Sequence, residues 1–287
     1  MRVLVLGATG MLGHTVFQLF SEDPALEVWG TLRDAAAARH FSAAQRARLV
    51  AGVDVLDDTA LSASVRRIAP DVVINCVGVI NQLPAARDPL IVVPINAMLP
   101  HRLERLCAEL GGRLIHVSTD CVFDGRRGGY RESDPSDTIE LYGQTKYIGE
   151  VRDVPHAITV RVSIIGHELA SRHSLIDWFL GQDGPVSGFT RAIFSGLPSV
   201  VLAQVFHDVI LTRPDLAGLY HVSAAPISKH DLLTLVADVY GKAITITPSE
   251  AVVIDRSLDS ERFTEATGYV APAWPELIRA MHASRTP

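Results

Sequence analysis

The feature that most constrains the fold is a glycine-rich turn close to the amino terminus, VLVLGATGMLGH. Its glycines, Gly7, Gly10 and Gly13, follow an apolar run typical of a buried strand and precede a segment of helical character. Because no side chains intervene, backbone amides at the start of such a helix can receive a pyrophosphate. The motif therefore predicts a dinucleotide-binding turn, with a tight strand-to-helix turn that holds no ligand as the alternative.

The apolar pattern of the first half of the chain predicts a parallel sheet. Short runs rich in Val, Ile and Leu alternate with longer amphipathic segments, the runs being RVLVLG, LEVWG, DVVINCVG and RLIHVST. This rhythm is typical of a Rossmann-type α/β fold, a doubly wound parallel sheet with helices on both faces. The pattern loosens after about residue 165. We expect a dinucleotide-binding domain over 1–164, completed at about 196–216, and a smaller C-terminal substrate-binding lobe mainly over 165–287.

Composition narrows the class of protein. The 287 residues are 48% hydrophobic and 20% charged with a formal net charge of -6, which is typical of a globular protein and argues against nucleic-acid binding. No apolar run approaches a membrane span or a secretory signal, so we expect a cytoplasmic protein without membrane contacts. The three cysteines form no CxxC pair and the histidines lack ligand spacing. Neither a disulfide framework nor a metal site is expected.

The end of the second predicted strand bears on the choice of dinucleotide. An Asp or Glu at this place is typical of NAD binding because it meets the free ribose 2′-hydroxyl, whereas a 2′-phosphate calls for a cation. Here the strand ends in VWGTLRD: Gly30 and Thr31 stand where the acid is expected, and Arg33 follows. This favours NADP(H). Asp34 leaves NAD(H) open, because a shift of one or two residues in the strand end would offer a carboxylate instead.

A second chemical signal is LYGQTKYIGE, in which Tyr142 and Lys146 are four residues apart. On a helix this spacing places both side chains on one face, one turn apart. An ammonium beside a phenol favours the phenolate and lowers the phenol pKa from about 10, which suits proton transfer at neutral pH. The same pair also occurs on solvated helices. The dinucleotide turn and the strand end HVST, which presents Ser118 and Thr119, favour the catalytic interpretation.

Three motifs in this order resemble signatures of the extended short-chain dehydrogenases/reductases: GATGMLG, STDCVFDG and YGQTKYIGE. Within that superfamily the chain is most similar to the dTDP-4-dehydrorhamnose reductase family, whose C-terminal half GLYHVSA and DRSLDSERF also match. The resemblance implies NAD(P)H-dependent reduction of a nucleotide-activated 4-keto-6-deoxysugar, in deoxysugar or cell-surface polysaccharide biosynthesis. Two alternatives stay open: a nucleotide-sugar epimerase of the same fold, and a non-catalytic NADP-binding regulatory subunit such as the β subunit of methionine adenosyltransferase.

The resemblance also implies roles for individual residues. Tyr142 is the implied proton donor, Lys146 lowers its pKa and holds the nicotinamide ribose, and Thr119 hydrogen-bonds the substrate oxygen. The candidate cofactor contacts are Gly7, Thr9, Gly10, Met11, Leu12, Gly13, Arg33, Asp54, Val55, Cys76, Gly78, Val79, Ile80, Asn96, Val117, Tyr142 and Lys146. The candidate substrate contacts are Thr119, Asp120, Ile164, Arg191 and Arg256.

The arginines among these candidates are chosen for their chemistry. A guanidinium suits bidentate recognition of a diphosphate, so Arg191 and Arg256 are candidates for that part of the substrate. A solvated surface arginine is the alternative for both. Arg161 is a candidate for a structural ion pair.

Cys121 marks a departure from related families. In similar sugar-nucleotide 4,6-dehydratases the Thr is followed by an Asp-Glu pair that eliminates water, whereas here Cys121 follows Thr119 and Asp120. Dehydratase activity is therefore disfavoured. The similar reductases commonly carry Tyr at this position and Trp at that of Ile164, so these departures concern the sugar more than the reaction type. We interpret Cys121 as a packed thiol without a nucleophilic role. Related reductases can form metal-bridged dimers; a homodimer stays open here, with no metal-ligand set matched.

Overall fold

The fold is built on a parallel β-sheet. The computed structural model describes residues 1–80, 84–170 and 174–285, without the side chain of Pro84. The strands are β1 (Arg2–Leu6), β2 (Glu27–Leu32), β3 (Leu49–Ala51), β4 (Val72–Asn75), β5 (Arg113–Ser118), β6 (Ala157–Arg161), β7 (Ile164–Ile165), β8 (Val186–Phe194), β9 (Leu197–Pro198), β10 (Gly218–His221), β11 (Ile227–Ser228) and β12 (Ile246–Asp255). Within the described residues, the central sheet has seven strands in the order β10-β6-β5-β4-β1-β2-β3.

The order of strands reverses at β1, which lies between β2 and β4. Val3 is opposite Val28 of β2 on one side and Val72 of β4 on the other, and both pairings are parallel. The chain runs outward from β1 to β3 and then returns to the other side of β1. In doubly wound sheets ligands bind outside the carboxyl ends of the strands at such a reversal. The predicted Rossmann-type architecture is confirmed.

Helices cover both faces of this sheet. They are α1 (Met11–Ser21), α2 (Ala43–Arg46), α3 (Asp58–Ile68), α4 (Pro89–Val92), α5 (Leu99–Leu110), α6 (Leu141–Ile148), α7 (Leu175–Leu180), α8 (Ser199–Val205), α9 (Lys229–Tyr240), α10 (Glu261–Thr267) and α11 (Trp274–Ala283). None of them, in the part of the chain that the structure describes, is long and apolar enough to span a membrane.

The hydrophobic core is divided by the sheet, as the alternation along β1 shows. Val3 and Val5 belong to a cluster with apolar residues of α1, α8 and α11. Leu4 and Leu6 belong to a second cluster with residues of α3 and α5. Because both faces are buried, the central strands read as continuous apolar runs rather than as alternating ones.

The C-terminal part of the chain forms a smaller lobe and also returns to the sheet. In this lobe β8 pairs in parallel with β12 and antiparallel with β11, while β7 pairs with β9. Between these elements α8 joins the core beside α1, and β10 pairs with β6. Strand β10, whose four residues are buried, forms one edge of the central sheet, and the bounds of the two domains stay a prediction. Substrate binding by the smaller lobe stays a prediction.

Candidate active site

The glycine turn after β1 opens helix α1 with its backbone exposed. Gly10 is the residue before the helix, and among the described residues no side chain caps the first-turn amides. Gly7 has φ +77°, and a Cβ on Gly13 would lie 2.0 Å from the Gly7 carbonyl oxygen. Thr9 and Gly10 are exposed, whereas Leu12 is buried. Only glycines allow the turn to pack this closely, and the free amides with the helix dipole suit an anion.

The segment after β2 presents a cation. Strand β2 continues through Leu32, so the residue that follows the strand is the exposed Arg33. Asp34 accepts a hydrogen bond from the backbone N–H of Ala36 at 2.9 Å and caps a short 3-10 helix. Its carboxylate is therefore already engaged by the backbone.

Two further predicted contacts lie in the loop that follows β3. Asp54 accepts a hydrogen bond from the Leu56 N–H at 2.9 Å, and both Asp54 and Val55 are partly buried. The N–H of Val53 donates to the Leu32 carbonyl at 3.1 Å, which joins this loop to the end of β2. Asp54 and Val55 thus share the carboxyl edge of the sheet with Arg33.

The segment after β4 is held by a buried asparagine. Asn96, 1% exposed, accepts a hydrogen bond from the Val79 N–H at 2.9 Å and donates to the Val79 carbonyl at 3.0 Å. This pair of bonds fixes the backbone on which Cys76, Gly78 and Ile80 lie, and Gly78 and Ile80 are exposed. The amide of Asn96 therefore positions the loop rather than projecting into the cleft.

The phenol of Tyr142 meets the strand end through a close helix-to-loop contact. Thr119 follows β5 and accepts a hydrogen bond from the Cys121 N–H at 3.1 Å. A Cβ on Gly143 of α6 would lie only 2.1 Å from the Cys121 carbonyl oxygen, so the helix backbone lies directly on this loop. The adjacent Tyr142 then hydrogen-bonds with the Thr119 side chain. The two predicted catalytic hydroxyls are together.

Lys146 lies one turn along the same helix and is buried. Its Nζ donates a hydrogen bond to the Val117 carbonyl at 2.6 Å. Burial lowers the pKa of Lys146 to about 8, although the negative charge of Glu150 opposes this change. Burial raises the pKa of Tyr142 well above its usual value, and the hydrogen bond with Thr119 opposes that shift. Burial thus has the largest effect on the phenol pKa in this structure, and the lowering of that pKa by Lys146 stays a prediction.

A cluster of Asp120, Cys121 and Arg256 lies beside the two hydroxyls. The carboxylate of Asp120 accepts hydrogen bonds from Thr119 Oγ1 at 3.1 Å and from Cys121 Sγ at 3.5 Å. Arg256 donates to Cys121 Sγ at 3.3 Å and to the Phe123 carbonyl at 2.8 Å. Burial raises the pKa of Asp120, and the guanidinium opposes this. Burial also raises the pKa of Cys121 to about 12, which suits a packed thiol and disfavours a nucleophilic thiolate.

The two arginines predicted to bind a diphosphate differ in their surroundings. Arg256 is largely buried within the cluster, with 15% of its side chain exposed. Arg191 is exposed in β8, opposite Val253 of β12, and within the described residues its side chain makes no hydrogen bond or ion pair with the cluster. Ile164 is partly buried in β7 and packs against the main core. The structure brings Arg256 to the site and leaves Arg191 on the lobe surface.

A buried ion pair between Arg161 and Glu150 lies beneath the site, and the sequence did not predict this pairing. Arg161 donates to Glu150 through Nε at 2.7 Å and through Nη2 at 2.9 Å, and both side chains are fully buried. Ser118 Oγ donates to the same carboxylate at 2.7 Å, and Arg161 Nη1 contacts His221 Nε2 at 3.1 Å. The network joins the end of β5 to α6 and β10. Arg161 was a candidate structural partner, whereas Glu150 gave no signal beyond its place at the end of the helix motif.

Metal ligands are not grouped in this region. Across the ranges 1–80, 84–170 and 174–285, no three or more His, Cys, Asp or Glu side chains form a cluster that could hold an ion.

Comparisons with known proteins add family information. A family model described as the RmlD substrate binding domain matches residues 1–284. Methionine adenosyltransferase 2 subunit beta of Xenopus tropicalis is 32% identical over 260 residues, covering 83% of this chain and 72% of that relative. The dTDP-4-dehydrorhamnose reductase of Salmonella typhimurium is 25% identical over 258 residues, covering 79% of this chain and 84% of that relative.

A solved structure shares the fold. The dTDP-4-dehydrorhamnose reductase of Bacillus anthracis, in complex with NADP, aligns with a TM-score of 0.79 at 21% identity and covers 99% of each chain. At this identity the likeness shows the architecture alone.

Proposed function

Because the chain belongs to the RmlD substrate binding domain family, we propose that it is an NAD(P)H-dependent reductase of a nucleotide-activated 4-keto-6-deoxysugar. The observation that carries this proposal is the pairing of Tyr142 with Thr119 at the carboxyl end of β5, one helical turn from Lys146. The similar reductase of Salmonella typhimurium supports the choice of substrate class.

The glycine turn fits a dinucleotide. A side chain at Gly13 would collide with the Gly7 carbonyl, so only glycine fits this position. No side chain caps the first-turn amides of α1 within the described residues, which leaves these amides open to a pyrophosphate. Asn96 holds the loop at Val79, and Lys146 lies buried against Val117, where it would meet the nicotinamide ribose. A bound nicotinamide supplies the hydride; the protein supplies position and electrostatics.

Two hydroxyls act on the substrate oxygen in this proposal. As the ketone is reduced its oxygen becomes basic, and the phenol of Tyr142 gives it a proton. The Thr119 hydroxyl, which donates to Asp120 in this structure, would turn its one proton to the same oxygen and stabilise its developing charge. The raised pKa of Tyr142 keeps the phenol protonated before the reaction, as a proton donor must be.

We propose NADP(H) as the preferred cofactor, with NAD(H) as a weaker one. The exposed Arg33 follows β2 directly, where a cation would meet a 2′-phosphate. The carboxylate of Asp34 accepts a hydrogen bond from the Ala36 N–H, so it is already engaged by the backbone.

We also propose that the protein is cytoplasmic. Its three cysteines are free thiols, as is usual in a reducing compartment.

The proposed function is tested with Tyr142→Phe and a matched control, Tyr147→Phe. Tyr147 is on the same helix, but its ring faces Arg152, whose guanidinium carbon lies 4.4 Å from the ring centre. NADPH oxidation is followed by absorbance with a panel of nucleotide-linked 4-keto-6-deoxysugars. We expect Tyr142→Phe to lose turnover while NADPH affinity stays nearly unchanged, and Tyr147→Phe to keep turnover. Full activity in Tyr142→Phe would exclude Tyr142 as the proton donor.

A second candidate function is that of a non-catalytic, dinucleotide-binding subunit. It is favoured by the similarity to methionine adenosyltransferase 2 subunit beta. Such a subunit would bind NADPH without oxidising it in the presence of any sugar of the panel, and Tyr142→Phe would then have no effect. Retention of Thr119, Tyr142 and Lys146 in one buried site favours the reductase.

A further inference from the structure

The end of strand β5 extends beyond its neighbour on one side. The last residue of β5 that pairs with β4 is His116, so within the described residues Val117 and Ser118 have a strand neighbour only in β6. Thr119 follows as the first residue after the strand. The position of the Thr119 hydroxyl therefore depends on what holds the two residues before it.

Side chains from the end of α6 hold both of these residues. Lys146 Nζ donates to the Val117 carbonyl at 2.6 Å. Ser118 Oγ donates to Glu150 Oε1 at 2.7 Å, and Glu150 comes four residues after Lys146, just beyond the end of the helix. In the proposed function Lys146 also meets the nicotinamide ribose, whereas Glu150 is buried within the protein. The Glu150 bond thus holds the strand end independently of the cofactor.

The same helix contacts the chain beyond Thr119. A Cβ on Gly143 would lie 2.1 Å from the Cys121 carbonyl oxygen, so α6 rests directly on this loop. Close packing of this kind stops the helix from moving inward, but it does not stop the helix from moving away. The hydrogen bond between Ser118 and Glu150 supplies that second restraint.

Glu150 is itself held in place. Burial opposes its ionisation, but the hydrogen bonds and charge of Arg161 hold the pKa of Glu150 below its usual value. A carboxylate only accepts, so Ser118 supplies the proton of the shared bond. Burial lowers the pKa of His221 to about 4, which leaves a neutral ring whose Nε2 accepts from Arg161 at 3.1 Å. Nδ1 of this ring donates to the Tyr130 carbonyl at 3.0 Å. The support of the strand end is therefore fixed on every side that carries a charge.

We propose that Ser118 and Glu150 are positioning residues of the catalytic site, a role that rests on the proposed reductase function. Their hydrogen bond fixes the strand end against α6 and thereby keeps the Thr119 hydroxyl beside the Tyr142 phenol. Both residues act on the substrate oxygen only through Thr119. Because a displacement of about 1 Å at reacting groups can lower a rate about 100-fold, a looser strand end slows the chemical step and leaves cofactor binding unchanged.

Ser118→Ala tests this role, because it removes the bond and leaves the buried charges of Glu150 and Arg161 paired. With the sugar of the panel that is reduced, we expect kcat to fall about tenfold, while KM for NADPH and the stoichiometry of NADPH binding stay at their wild-type values. Ser223→Ala is the matched control. Ser223 is also buried and donates to the Leu258 carbonyl at 2.9 Å, a bond that involves neither α6 nor β5. Both variants should unfold at similar urea concentrations, but only Ser118→Ala should lose turnover.

A second set of variants tests whether Ser118 acts through Glu150. Glu150→Leu combined with Arg161→Met replaces the ion pair as a whole, because two apolar residues of similar volume leave neither partner as an unpaired buried charge. This double variant should also lose turnover. Adding Ser118→Ala to it should lower kcat no further, since the bond is already absent.

The outcomes separate this role from a general loss of structure. Unchanged kcat in Ser118→Ala, an equal loss of kcat in Ser223→Ala, a raised KM for NADPH in place of a lowered kcat, or a further loss in the triple variant would each overturn it. If the wild type itself oxidises no NADPH with the sugar panel, the proposed function fails and the positioning role fails with it.

Discussion

Replacing Gly143 with alanine tests the contact that assembles the site. In a helix, alanine is more favourable than glycine by up to about 1 kcal/mol, so Gly143→Ala would stabilise the protein if α6 were packed loosely. The structure predicts the opposite. The new Cβ would lie 2.1 Å from the Cys121 carbonyl oxygen and 2.8 Å from a methyl group of Thr138, and contacts under 3.0 Å are essentially never seen.

The size of the effect follows from this overlap. The helix must move by about 1 Å, and forced overpacking of this kind costs about 1–3 kcal/mol. Because Tyr142 is the neighbouring residue, the same movement separates its phenol from Thr119. A displacement of about 1 Å at reacting groups can lower the rate about 100-fold. We therefore expect Gly143→Ala to lose both stability and turnover.

Urea unfolding and steady-state NADPH oxidation measure the two effects. Gly184→Ala is a matched control, because a Cβ there meets no atom within 4 Å and should leave stability and activity nearly unchanged. Equal or higher stability of Gly143→Ala, together with full activity, would refute the close packing of α6 on the loop.

Three further predictions concern the cofactor and the buried charges. Arg33→Ala should weaken NADPH binding about tenfold or more and leave NADH binding nearly unchanged, as measured by fluorescence titration; a uniform loss would contradict the 2′-phosphate assignment. NADPH affinity should fall as pH rises through about 8, because the Lys146 ammonium loses its proton there, and a flat profile between pH 7 and about 9.5 would count against its role at the ribose. Glu150→Ala should cost about 3–5 kcal/mol in urea unfolding because it leaves Arg161 buried and unpaired. Glu109→Ala, which breaks the exposed pair with Arg66, should have little effect, so similar losses in the two variants would contradict this account of Glu150.

The parts of the site that depend on local spacing could be predicted from the sequence. The glycine turn that opens α1 is such a part, because its geometry is set by residues within one strand-to-helix turn. The face shared by Tyr142 and Lys146 is another, because four-residue spacing fixes it once the segment is a helix. The parallel sheet followed from the apolar runs for the same reason.

Other parts depend on contacts between distant segments. Arg161 meets Glu150 on one side and His221 on the other, the latter because β6 and β10 pair at the sheet edge, and no local pattern shows this. Residue chemistry alone could not tell which arginine, Arg256 or Arg191, lies at the site, because both carry the same guanidinium group. The structure distinguishes them: the end of β12 returns to the loop after β5 and brings Arg256 to Cys121. The direction in which the surroundings shift the pKa of the Tyr142 phenol could not be predicted, because burial, which the sequence does not display, has the largest effect on it.

The central claim is net hydride transfer to a nucleotide-linked ketosugar, and its stoichiometry tests that claim most directly. The purified protein is mixed with NADPH and each 4-keto-6-deoxysugar of the panel, while oxidised cofactor and reduced sugar are quantified together. We predict that at least one sugar is reduced with one NADPH consumed for each molecule of product. No net loss of NADPH, together with isomerisation of the corresponding 4-hydroxy nucleotide sugars by the protein with oxidised cofactor, would identify an epimerase. Cofactor binding without change in any sugar would identify a non-catalytic subunit. Either result would contradict the account.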